Sequence, residues 1–95
     1  MHIITRKRIT EAKKLYFECE SALAGWLRIV EHNVFKSFAD LKAAFNNVDK
    51  VGNFYVFDIG GNKLRLIASI HFNRQKLYIR HILTHKEYDK NHWRK

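Results

Sequence analysis

No proline interrupts the 95 residues, only four of them are glycine, and Cys19 is the single cysteine. Without proline, repeats or low-complexity tracts the chain has no stretch with the composition of a linker, so residues 1–95 are expected to form one domain. One thiol excludes an intrachain disulfide and a paired-cysteine metal framework, and a reducing cytoplasm is the expected setting. Acids are scarce as well: 9 Asp and Glu stand against 18 Lys and Arg, for a net charge of +9 and a pI near 9.9. No apolar run is long enough to span a bilayer, and Met1-His2-Ile3-Ile4-Thr5 is too short for the apolar centre of a signal peptide. Of the polyanions that such a charge excess attracts, nucleic acid is therefore favoured over a membrane surface.

What is present is enough to fold: 46% of the residues are hydrophobic and 14% aromatic. After Ile3-Ile4, which suits an edge strand, Ile9, Ala12, Leu15 and Tyr16 recur at helical spacing. Leu23, Trp26, Leu27 and Val30 then follow at i, i+3, i+4 and i+7, with Ser21 placed to cap that second helix. The two helices are expected to form a hairpin. Ser37-Phe38-Ala39-Asp40 has the form of a capping box, and Phe38, Leu41 and Phe45 continue it into a short third helix.

From Asn53 the periodicity turns from helical to alternating, in blocks over 53–59, 62–72 and 76–84, separated by Gly60-Gly61-Asn62 and Asn73-Arg74. Three antiparallel strands in a meander follow, which makes the fold class α+β, with an N-terminal strand and helices packed on a small sheet. Leu64, Leu66, Ala68, Ile70 and Phe72 should face the helices. So should Leu77, Ile79, His81 and Leu83, leaving Lys63, Arg65, His71, Tyr78 and Arg80 on an open, basic and aromatic face. Between Ile59 and Lys86 there are six Lys or Arg and no acid, so this charge has no local compensation.

The run Phe57-Asp58-Ile59-Gly60-Gly61-Asn62-Lys63-Leu64-Arg65-Leu66, then Tyr78-Ile79-Arg80 and Thr84-His85-Lys86-Glu87-Tyr88-Asp89, resembles the HigB-type toxins of the RelE/ParE superfamily. Lys36-Ser37-Phe38-Ala39-Asp40-Leu41-Lys42 resembles the segment ahead of that family's sheet. The resemblance covers nearly the whole chain. It implies a RelE-like fold and the toxin of a type II toxin-antitoxin system: an mRNA interferase that cuts messenger RNA in the ribosomal A site, uses no metal or other cofactor, and is neutralised by a HigA-like helix-turn-helix antitoxin. It also carries over functional positions, namely Arg65, Arg80, His85 and Tyr88 as catalytic, with Lys63 and Lys86 as weaker transfers.

Cleaving RNA without a metal requires activating a 2′-OH, stabilising the phosphorane and protonating the departing 5′-oxygen. Histidine can move protons near neutrality, and arginine can grip two phosphate oxygens at once. His85 is thus expected to transfer protons, Arg65 and Arg80 to clamp the scissile phosphate, and Tyr88 to position a nucleotide. Lys63, His71, Tyr78 and Lys86 are the expected RNA-binding residues. The plainer readings are a solvated His85 at a strand end, Arg65 and Arg80 in a surface ion-pair ladder, and Arg6-Lys7-Arg8 as a solvated helix face. Trp26 and Cys19 are read as core. A metal site is not expected, because His81 and His85 in one strand would stand roughly 13 Å apart. The resemblance also leaves open a ParE-like gyrase inhibitor, the main alternative within the superfamily, and the basic sheet on its own fits a module that binds RNA without cutting it.

Overall fold

A computed structural model describes residues 1–94. β1 (His2–Ile4) opens the chain and is followed by α1 (Lys7–Leu15), a 3-10 turn at Phe17–Cys19, α2 (Glu20–Glu31) and α3 (Phe38–Ala44). Then come β2 (Asp49–Val51), β3 (Phe54–Ile59), β4 (Leu64–His71), β5 (Lys76–Thr84) and α4 (His85–Asp89), and a 3-10 turn at His92–Arg94 ends the described chain. The strands form one sheet in the order β1-β5-β4-β3-β2. β1 joins β5 in parallel and the other pairs are antiparallel, so the expected meander β3-β4-β5 is the centre of a five-stranded mixed sheet in an α+β fold.

One face of the sheet packs on the helices. Ile9 and Ala12 of α1, Leu23, Trp26 and Val30 of α2, and Leu41 of α3 bury against Phe57, Leu64, Leu66, Leu77 and Ile79. Leu15 is 69% exposed, so the apolar stripe of α1 runs through Ile9 and Ala12 to Tyr16, which packs part-buried against the core, and leaves Leu15 outside it. α2 starts at Glu20, ahead of Ser21, with Cys19 as its uncapped first boundary: the 3-10 turn feeds the chain directly into the helix. At α3 the Ser37 hydroxyl accepts from the Asp40 N–H, but the Asp40 carboxylate accepts from the N–H of Lys36 instead of closing a box on Ser37. Gly60, Gly61 and Asn62 all have positive φ, as the tight β3–β4 turn requires. At Gly60 a Cβ would also come within 2.9 Å of the buried Cys19 sulfur, so glycine here lets the turn press against the helical layer.

The alternation expected along β5 fails at its centre. Ala68 lies opposite Ile79 and Ile67 opposite His81, so Arg80 is an extra residue in a β-bulge. Beyond it the phase reverses: Ile82 joins the helix-side core, and Leu83 packs on the other face. That face is only partly open, because the chain after β5 folds back over it. Trp93, only 4% exposed, covers Val56 and Ile67 together with Phe54, Leu83 and Tyr88.

Candidate active site

The end of β5 creates the site. Thr84 caps α4 in a true capping box: its hydroxyl accepts from the Glu87 N–H while the Glu87 carboxylate accepts from the Thr84 N–H. The Thr-x-x-Glu spacing at 84–87 carries this signal in the sequence. The helix turns the chain across the sheet, so that His85 and Tyr88 come down beside Arg65 of β4. One Arg65 nitrogen, Nη2, lies 3.5 Å from His85 Nδ1, and the guanidinium carbon lies 5.7 Å from the centre of the Tyr88 ring.

Arg65 is held from behind. Its Nε is 3.1 Å from Oδ1 of Asp58, its register partner on β3, and the two side chains are only 12% and 22% exposed. The expectation that no acid compensates this arginine is therefore corrected: Asp58 lies one residue outside the acid-free stretch, and cross-strand pairing brings it over. With Nε on Asp58 and Nη1 donating to the Leu64 carbonyl at 3.4 Å, Nη2 is the guanidinium nitrogen that faces His85. Asp89 flanks the histidine, its Oδ2 being 3.7 Å from His85 Nε2. His85 is thus set between a guanidinium on its Nδ1 side and a carboxylate on its Nε2 side. Trp93 stacks on Tyr88 with centroids 5.1 Å apart and donates its indole N–H to the Tyr88 carbonyl, which fixes the outer side of the group.

Arg80 belongs to a second group. Its Nε donates to Ser69 Oγ at 3.1 Å, its guanidinium lies over Tyr78 at 5.7 Å, and Tyr78 meets His71 edge to face at 5.5 Å. Among the described residues no hydrogen bond or ion pair joins this group to Arg65. Lys63, in the β3–β4 turn, and Lys86, on α4, are exposed at the margins. Arg6 pairs with Glu31 across α1 and α2 at 3.2 Å. The bulge turns His81 away from the helix-side core into a cavity of about 300 Å³ shared with Leu83, Glu87, Lys90, His92 and Trp93. Burial, then the charges of Arg8 and Arg80, lowers the His81 pKa from its ordinary value. Among the described residues no three His, Cys, Asp or Glu side chains gather as metal ligands. Nor, among the described residues, is any helix long and apolar enough to cross a membrane.

Asp58 and Asp89 stand in the family-like runs without an assigned role, and Trp93 lies outside those runs. Asp58 needed the β3–β4 register, Asp89 the i, i+4 spacing from His85 on α4, and Trp93 the reversal of the chain after Thr84.

Comparison with known proteins adds a family. The model described as "HigB_toxin, RelE-like toxic component of a toxin-antitoxin system" matches residues 19–91. An Escherichia coli K12 protein named mRNA interferase toxin HigB is 39% identical over 92 residues, covering 94% of this chain and 88% of that protein. An mRNA interferase HigB of Shigella flexneri matches with the same identity and coverage. Another, from Escherichia coli O6:H1, is 36% identical over 93 residues, covering 95% of this chain and 90% of its own.

Proposed function

The chain belongs to the HigB toxin family, and from that premise we propose that residues 1–95 form one toxin domain, an endoribonuclease that cuts messenger RNA on the ribosome in the cytoplasm and is held inactive by a helix-turn-helix antitoxin. The observation that carries the reading is the grouping of Arg65, His85 and Tyr88 at the rim of the sheet, where a titratable imidazole stands beside a fixed cation.

In this mechanism a general base takes the proton of a ribose 2′-OH, and the 2′-oxygen attacks the adjacent phosphorus. Negative charge builds on the phosphorane oxygens, which the Arg65 guanidinium stabilises through Nη2, its direction already fixed by Asp58 and the Leu64 carbonyl. The 5′-oxygen then leaves with a proton, giving a 2′,3′-cyclic phosphate and a 5′-OH end. His85 is the residue placed to move protons, and Tyr88, held in the Trp93 stack, positions the nucleotide. His71, Tyr78 and Arg80, with Lys63 and Lys86 at the edges, bind flanking RNA.

The test is to induce the protein and map new 5′-OH ends on cellular RNA with translation running and with translation blocked. New ends confined to translated messages are expected. Growth arrest with intact transcripts and gyrase-linked DNA breaks would replace this reading with gyrase inhibition.

A further inference from the structure

The group around Arg80 opens into a cavity of about 330 Å³ whose walls include Lys50, Asn53, Ser69, His71 and Arg80. Lys50 reaches it from β2 and Asn53 from the turn between β2 and β3, a part of the chain that contributes nothing to the Arg65 group. Arg80 is anchored through Nε by Ser69 and over the Tyr78 face, so the two terminal nitrogens of its guanidinium are left to project. Among the described residues no carboxylate lines the cavity, and Asp49, the acid next to Lys50, is turned toward Lys42 at 4.0 Å. Two permanent cations, an imidazole, an amide and a hydroxyl in an acid-free cavity make up the donor set of an anion site.

The geometry points to a second RNA phosphate site here, in which a backbone phosphodiester is held by Arg80, Lys50 and His71 and hydrogen-bonded by Asn53. On this assignment Arg80 grips a phosphate other than the scissile one, which belongs to Arg65 alone. The inference rests on RNA being the substrate. It divides the basic face into a reacting subsite around Arg65 and a holding subsite that begins at the bulge residue Arg80.

The test uses the full chain, a non-cleavable 2′-O-methyl RNA oligomer and message-free ribosomes, with binding measured across a salt series. Lys50→Ala is expected to weaken binding and to lower the log–log salt slope by about 0.7, the contribution of one single-strand phosphate. Lys50→Arg is expected to restore both. An effect on the oligomer assigns the site to the message, and an effect on ribosomes alone assigns it to ribosomal RNA; either supports the phosphodiester. Unchanged affinity and slope with both probes would overturn the site. If wild-type protein cuts no RNA but the Lys50 effect persists, the nuclease reading fails and the phosphate site stands.

Discussion

Arg65 shows how much one side chain depends on its neighbours. Arg65→Ala is expected to lower the cleavage rate on bound substrate by about 10² to 10³-fold, the usual cost of removing one preorganised donor from a transition state. Asp58→Asn keeps the size and loses the charge that orients Arg65; a fall in kcat of up to about 10²-fold with little change in KM is expected, since misplacement alone can cost that much. Single-turnover kinetics on preformed complexes checks both, and equal KM and kcat effects for Asp58→Asn would remove its orienting role. His85→Gln should slow the chemical step by about 10² to 10⁴-fold, with Tyr88→Phe losing less. His81 gives a pH effect of defined sign. Its folded pKa is depressed, so the unfolded chain binds the proton first as pH falls. Stability is therefore full above the ordinary histidine pKa of about 6.5 and declines as pH drops below it. Denaturant midpoints at pH 7.5 and 5.5 should differ less in His81→Gln than in wild type.

Among the elements, α4 carries the site and is the easiest to loosen. Thr84→Ala removes the hydroxyl half of its capping box, and a loss of about 0.5 to 2 kcal/mol is expected, read from urea unfolding. Activity should fall along with it, because His85 and Tyr88 both ride on that helix. The same element marks where the sequence stops being readable. Strands β3 and β4 were legible because β-branched and aromatic residues alternate without interruption, and the Gly60-Gly61-Asn62 turn named itself through residues that accept positive φ. β2 was not, since Asp49-Lys50-Val51 has no apolar alternation and owes its pairing to the turn that follows it. Along β5 period two holds only to Ile79; the bulge is a tertiary adjustment that no local pattern in Arg80-His81-Ile82 announces. The residue types of the candidate site were legible, but their division into an Arg65 group and an Arg80 group was not, because it depends on which neighbour each guanidinium finds.

At the scale of the whole molecule, the helical layer and the C-terminal cap sandwich the sheet unequally. Among the described residues, nineteen buried ones form the helix-side core, while only Val56, Ile67 and Trp93 are buried under the cap. The larger cluster carries most of the apolar burial, and the smaller one seats the Trp93–Tyr88 stack beside Arg65. Its Trp93 is one of only two tryptophans, and the other, Trp26, is buried on the opposite side against Phe57 with ring centroids 5.3 Å apart. The protein thus carries a separate optical gauge in each layer. In a Trp26→Phe variant all indole emission comes from the Tyr88 stack, so a red shift on warming that precedes the loss of helical dichroism would register the cap lifting off an intact sheet. Coincident transitions would mean that cap and core melt as one.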